Sequence, residues 1–279
     1  AAFAAASLRA TVASASGAPA GSAAGAATAA GATNAILEVR SLDLVAPVIA
    51  GAPPRPTLAR GVTFELRDDW PLLVTGPNAS GKSLLGCYLL GLLPLPRRAP
   101  GARIAFPRGG GVGAGGGARP PLATLMAAPQ RAYLPRGTLG NQVCYPEEYA
   151  QEQPESARWA QEEKMLSALQ AMGIEYLVSR EAKGWSARRR WEAVLSGGEQ
   201  QRMGLARIAY HRPRAALLDD CTSMVAAAAE EGLYWGLLKD FGVTPMTLTQ
   251  RPFLGDLHHE ELRLGLPAPL GWQLVRWSA

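Results

Sequence analysis

The chain has 279 residues and a formal charge of +5, from 28 Lys and Arg against 23 Asp and Glu; 48% of it is hydrophobic, much of that alanine. The length is enough for one large domain or two small ones with a real core, while 31 Gly and 22 Pro leave part of the chain outside packed structure. The longest uncharged leucine-rich run, Ser83 to Pro96, is shorter than a membrane-spanning helix, and Cys87, Cys144 and Cys221 are too far apart for a zinc ribbon or a disulfide scaffold, which fits a reducing compartment.

Residues 1–35 are about half alanine, with Arg9 their one charged residue, and Phe3, Leu8 and Val12 are too few to build a core. A disordered low-complexity or targeting lead is expected; its Ser content and lack of acids are those of a plastid transit peptide, and the Ala at position 1 reads as a processed or truncated start. Ordered structure is expected from Ile36. The stretch Ile36–Leu44, the alternating Val62–Leu66 and the apolar Pro71–Thr75 read as strands. A glycine loop follows, then a helix with Leu84, Leu85, Tyr88, Leu89 and Leu92 at helical spacing.

Residues 107–121 are almost all Gly, Pro and Arg and read as a flexible insertion. Within them Gly111–Gly116 spells G-x-G-x-x-G, but Ala118-Arg119-Pro120-Pro121 cannot open the helix that a dinucleotide site needs. Glu155–Trp191 is mostly helical in pattern, with Leu166, Leu169 and Met172 as core candidates and Arg188-Arg189-Arg190 as a solvated helix face. Arg202–Tyr210 and Glu230–Leu238 read as helices, Ala215–Leu218 as a buried strand ending in two aspartates, and Met246–Thr249 as the last buried strand. Strands alternating with helices argue for a parallel sheet covered on its faces.

Three strings carry chemistry. Gly76-Pro77-Asn78-Ala79-Ser80-Gly81-Lys82-Ser83, with Leu84 after it, fits G-x-x-x-x-G-K-S/T between a strand and a helix. Small residues let the backbone amides curl around phosphate oxygens, and the helix N-terminus adds partial positive charge. Lys82 would reach the terminal phosphates and Ser83 would offer its hydroxyl to Mg²⁺. Asp219, at the carboxyl end of a buried strand, is placed to hold that ion directly or through water. Leu195-Ser196-Gly197-Gly198-Glu199-Gln200-Gln201-Arg202 reads as a second phosphate site, a capped helix start with glycine amides.

This last string resembles the LSGGQ or LSGGE signature of the ATP-binding cassette (ABC) ATPases. The resemblance implies an α/β fold of P-loop NTPase type: a mixed sheet core with a helical subdomain near residues 139–205 that carries the signature. It implies a cassette over residues 36–279, ATP and Mg²⁺ as cofactors, and a signature, Leu195–Glu199, that completes the nucleotide site of an opposite subunit. Ala128-Pro129-Gln130-Arg131 resembles the Q-loop, whose Gln130 would sense Mg²⁺ and the attacking water. About 110 residues without sustained heptads separate phosphate loop from signature, unlike the coiled-coil relatives of DNA repair. Pro129–Leu134, Gly137-Thr138-Leu139, Gln142–Pro146, Trp191, Tyr210–Pro213 and Leu217–Ser223 resemble subfamily D, the peroxisomal fatty-acyl half-transporters. That implies a membrane-associated ATPase coupled to transport of fatty acids or acyl-CoA, working with a second cassette and with a transmembrane domain upstream or on another chain. The peroxisomal membrane is the implied location, and the alanine-rich lead keeps a plastid envelope open.

The catalytic positions depart from that family. The general base, usually Glu, is Asp220; the switch histidine is Gln250; Ala226–Ala229 stand where a D-loop aspartate is expected; and Ala79 replaces a common glycine. A shorter carboxylate and an amide that cannot carry charge point to binding with slowed hydrolysis, and so to an asymmetric heterodimer. Two other readings stay open: a non-hydrolysing regulatory or scaffold cassette, and a soluble ABC ATPase acting on ribosomes or nucleic acid. The latter usually carries two cassettes, so no nucleic-acid partner is expected.

Overall fold

Runs of β-branched and leucine residues at alternate positions build the first half of the molecule. A computed structural model describes residues 10–11, 34–46, 56–96, 101–107, 119–149, 152–250 and 257–277. Most of the low-complexity lead, and positions 108–118 of the expected insertion, lie outside these residues. β1 (Ala10–Thr11) is a two-residue strand within the lead. β2 (Ala35–Val45) and β3 (Thr57–Arg67) are long antiparallel partners whose alternating residues Val39, Leu42, Leu44, Val62, Phe64 and Leu66 are buried. β4 (Leu72–Thr75) leads through the glycine loop into α1 (Lys82–Leu89). That helix buries Leu85, Tyr88 and Leu89 as expected, but Leu92 is exposed. Gly91, at φ 64°, stops the helix before Leu92 can join its apolar stripe. β5 (Arg103–Ala105) then pairs with β2 to complete a three-stranded antiparallel sheet.

β6 (Leu125–Ala128) returns the chain to the second sheet, and β7 (Gly137–Thr138) opens a helical stretch. It comprises α2 (Leu139–Cys144), α3 (Glu155–Ala171) and α4 (Tyr176–Arg180), then β8 (Arg188–Arg189), α5 (Trp191–Val194) and α6 (Gly197–His211). On α3 the buried stripe is Met165, Ala168 and Leu169, continued by Met172, so Leu166 is one position out of phase and is 37% exposed. Arg188 and Arg189 are exposed, but on a strand that pairs antiparallel with β7, with Arg189 bonded to Glu181, not on a helix face.

β9 (Ala215–Asp219), α7 (Ala227–Trp235) with a further π-helical turn at Gly236–Asp240, and β10 (Thr244–Leu248) follow. β10 is not the last strand. β11 (Glu260–Leu264) and β12 (Trp272–Trp277) come after it, and their charged residues hide the strand pattern: Glu260 pairs with Arg276, and Glu261 with Arg263.

The seven-stranded sheet runs β1-β12-β11-β4-β10-β9-β6. β11, β4, β10, β9 and β6 are parallel, and β12 and β1 add an antiparallel edge. α1 lies between the two sheets, where its leucines share one apolar core with β2, β3 and the near face of the large sheet. The other face packs against α2, α3, α6 and α7 through a second core. Among the described residues no helix is long and apolar enough to cross a membrane.

This order sets three strand ends side by side. Leu72–Val74 of β4 pair with Met246–Leu248 of β10, and Leu248 pairs with Asp219 of β9. Backbone bonds beyond the strands, Thr249 to Val74 and Asp220 to Leu248, extend the alignment. The phosphate-loop glycine, the aspartate pair and Gln250 therefore leave the sheet at one edge, the crevice at the carboxyl ends of parallel strands where ligands bind in such folds.

Candidate functional site

The loop after β4 has the backbone its sequence demands. Gly76 takes φ 146°, Gly81 φ 105° and Ala79 φ 62°. A Cβ on Gly76 would sit 2.5 Å from the Leu264 carbonyl oxygen and 2.7 Å from Ser80 Oγ, so only glycine fits. The buried Ser80 Oγ has no hydrogen-bond partner. α1 begins after Gly81, which has no side chain to cap it, and its first turn holds no acidic residue, so its leading amides and positive dipole end are open to an anion. Lys82 Nζ donates to the carbonyls of Gly76, at 2.7 Å, and Pro77, at 3.1 Å, curling the loop around the ammonium.

The carboxylates face this cradle. The Ser83 hydroxyl lies near the Asp219 carboxylate and favours its charged form. Burial raises the Asp219 pKa; the Ser83 hydroxyl lowers it, the neighbouring Asp220 raises it, and Lys82 lowers it. Burial lowers the Lys82 pKa, against the pull of Asp220 and Asp219. Asp220 stands in the left-handed region, at φ 45°.

One cavity of ≈ 490 Å³ joins these groups: Asn78 to Leu84, Gln130, Asp219, Asp220 and Gln250 line it, with Ala46 and Leu58. Gly76 and Pro77 shape the loop from behind. Phe64, inside β3, is 2% exposed and plays no part in the cavity. Wider grooves among the described residues lie elsewhere and contain none of the phosphate loop; that of ≈ 890 Å³ is lined by Tyr133, Arg136 and Arg188 to Glu192 among others.

The donor set suits Mg²⁺. Among the described residues no group of three or more His, Cys, Asp or Glu could hold a metal unaided. Mg²⁺ does not require one, because it takes one or two protein oxygens and completes its shell with water and substrate phosphates. The Ser83 hydroxyl and Asp219 carboxylate, in one cavity, offer two such oxygens, and Gln130 lines the same cavity.

Leu195 to Glu199 do not line that cavity. They form the start of α6, where Ser196 caps the helix and Glu199 bonds back to the Ser196 amide at 2.6 Å, a full capping box. Burial works to raise the Glu199 pKa, but the Ser196 amide and hydroxyl, Tyr176 and Arg180 outweigh it and hold it low. Gly197 and Gly198 lie against Met224, whose sulfur would be 2.2 Å from a Cβ on Gly197.

Two connections are not visible in the strings alone. Gln250 Nε2 donates to Asn78 Oδ1 at 2.6 Å. Gln201, 3% exposed, binds both Gln130 and the Ser223–Met224 turn. Its signal was a polar residue on the helical stripe shared with the buried Leu205 and Ile208.

The family model described as "ABC transporter" matches residues 123–223. The chain is 32% identical over 252 residues to ABC transporter D family member 1 of Arabidopsis thaliana, covering 86% of this chain and 18% of that protein. It is 35% identical over 203 residues to ATP-binding cassette sub-family D member 3 of Mus musculus, covering 73% and 27%. The chain thus spans about a fifth to a quarter of the length of these relatives. A bacterial Atm1-family ABC exporter solved with ATP bound superposes with a TM-score of 0.62 at 19% identity, over 84% of this chain and 38% of that one, a likeness of fold.

Proposed function

The chain belongs to the ATP-binding domains of the ABC transporter family, related to subfamily D, and from that premise we propose that it binds Mg-ATP in the ≈ 490 Å³ cavity and hydrolyses it slowly. The observation that carries this reading is the meeting in one cavity of the phosphate loop, the Asp219-Asp220 pair, Gln130 and Gln250, from four separate segments. Lys82 and the α1 amides would hold phosphate oxygens, and Ser83 with Asp219 would hold Mg²⁺, which offsets phosphate charge when bound. Asp220 would orient the attacking water and take its proton. Its carboxylate is one methylene shorter than the glutamate of related cassettes, and a general base set back by about an ångström loses on the order of 10²-fold in rate.

The signature stands apart from that cavity. This supports a sandwich in which Ser196 to Glu199 face nucleotide held by a second cassette. With the signature whole and Asp220 and Gln250 altered, a heterodimer with one strong and one weak hydrolytic site fits best. The membrane segments that such a pair would drive lie upstream or on another chain. The resemblance to subfamily D points to fatty acids or acyl-CoA as cargo and a peroxisomal membrane as the location, and the alanine-rich lead keeps a plastid envelope open.

The test is ATP turnover by the chain, unaltered and with the paired substitutions Asp220→Glu and Gln250→His. A rise of tenfold or more is expected. Equal turnover in both would remove the slow-hydrolysis reading, whereas Mg-ATP binding with no turnover in either, even with a partner present, would favour a regulatory cassette.

A further inference from the structure

Gln201 is a buried amide with its polar capacity spent on three bonds to two distant segments. Its Nε2 donates to the backbone carbonyl of Gln130 at 3.1 Å and to Ser223 Oγ at 2.8 Å, and its Oε1 accepts from the Met224 amide at 2.7 Å. Gln130 lines the phosphate cavity. Ser223 belongs to the turn after the two aspartates, and its amide donates to the Asp220 carbonyl at 3.3 Å. Met224 lies against Gly197 and Gly198 at the start of α6. One side chain thus links the Gln130 loop, the Asp220 turn and the helix that presents Ser196 to Glu199.

A buried amide in this position resists partial release. Each broken bond leaves the buried Gln201 amide without a partner of its own, so the three segments favour moving together over separating. Met224 adds a steric link, because its sulfur fills the space that a Cβ on Gly197 would take.

We infer that Gln201 is a positioning residue that couples nucleotide in the Gln130–Asp220 cavity to the setting of the α6 N-terminus, so that a filled cavity alters how this chain's own Ser196–Glu199 edge is presented. This rests on the Mg-ATP reading above. Coupling of this kind is reciprocal: a partner engaging the α6 N-terminus would tighten Mg-ATP binding by the same factor.

The experiment uses the full chain, unaltered and as Gln201→Met, of similar length without polar atoms, and Gln201→Glu, which keeps an acceptor for the Met224 amide but loses both donors. Affinity for Mg-ATP is measured with a fluorescent nucleotide, and amide hydrogen exchange across residues 196–202 with and without Mg-ATP. In the unaltered chain Mg-ATP is expected to slow exchange there by about tenfold, the scale of one buried hydrogen bond. Both variants should bind within about threefold of the unaltered chain and lose most of that slowing, since their phosphate contacts are untouched. Ser223→Ala, which removes one of the three bonds, should give an intermediate loss and serves if the Gln201 variants do not fold. A full response in the variants that fold, or no response in an unaltered chain that binds Mg-ATP, overturns the coupling alone. Loss of affinity and response together, in proportion to unfolded protein, also overturns it, by making Gln201 purely structural. An unaltered chain that does not bind Mg-ATP overturns the nucleotide reading, and the coupling with it.

Discussion

Gln250 and Asn78, 172 positions apart in the chain, meet at 2.6 Å, the amide of the first donating to the amide oxygen of the second. The contact ties the residue after β10 to the phosphate loop after β4, and it follows from the adjacency of those strands. A double-mutant cycle with Asn78→Ala and Gln250→Ala, read in Mg-ATP affinity, should show a coupling of about 0.5–1 kcal/mol, the size of a neutral hydrogen bond in a partly solvated place. Strict additivity would mean that the two side chains act independently.

Asp219 makes stability and binding oppose each other. Burial holds its carboxyl above the usual carboxylate range, with the Ser83 hydroxyl lowering it, Asp220 raising it and Lys82 lowering it. A carboxyl whose folded pKa lies above the unfolded one binds its proton more tightly when folded. Its contribution to stability is therefore full below the unfolded value and is lost as pH rises through the folded value. Asp219→Asn should raise the unfolding midpoint at neutral pH, with the gain disappearing as the solution is made acidic. The same substitution should weaken Mg-ATP binding about tenfold or more, since it removes one charged oxygen from the Mg²⁺ set. Thermal scans across pH beside a Mg²⁺ titration would check both; a lower midpoint at neutral pH would contradict the argument.

The parts of the site that were legible in the sequence are local. The phosphate loop and the start of α6 are short strings in which each glycine, cap and lysine acts on its neighbours, so their order is enough to recognise them. Asp219 was legible because a buried strand points at it. Gln201 and the Asn78–Gln250 pair are products of sheet order and helix docking, which no local string encodes. β11 was missed because Glu260 and Glu261 mask a strand whose charges are matched by Arg276 and Arg263. Leu166 and Leu92 mark the limits of periodicity: one lies a step out of phase on α3, and the other lies past the glycine that stops α1.

Beneath the Asp220 turn lies a buried polar cluster. The Thr222 hydroxyl donates to Glu230, which is fully buried on α7, and lies 3.4 Å from the Tyr234 hydroxyl. Burial raises the Tyr234 pKa, Cys221 adds to the rise, and the Thr222 bond lowers it. Glu230→Leu would leave the Thr222 donor without this acceptor and should cost about 1–3 kcal/mol of stability. Glu230→Gln keeps an acceptor oxygen of nearly the same shape and should cost clearly less. Urea denaturation of both variants distinguishes them, and equal losses would show that the carboxylate charge matters more than the acceptor.

Ala79 carries backbone strain that glycine would relieve. Its φ of 62° lies in the left-handed region, where a Cβ costs roughly 1–2 kcal/mol through its approach to the following carbonyl. Glycine removes that cost but gives the unfolded chain more freedom, which takes back about 0.4–1 kcal/mol. The difference leaves Ala79→Gly more stable by up to about 1.6 kcal/mol. The side chain is exposed on the loop and contributes little packing, so few lost contacts oppose the gain. The gain should appear as a higher urea midpoint with an unchanged slope, since the surface exposed on unfolding barely alters. Because strain at this position opposes the loop geometry that lines the cavity, the same substitution should also tighten Mg-ATP binding by a few-fold. A midpoint below that of the unaltered chain would show that the loop relaxes to another backbone once Cβ is gone, and that Ala79 is what holds it in the phosphate-binding shape.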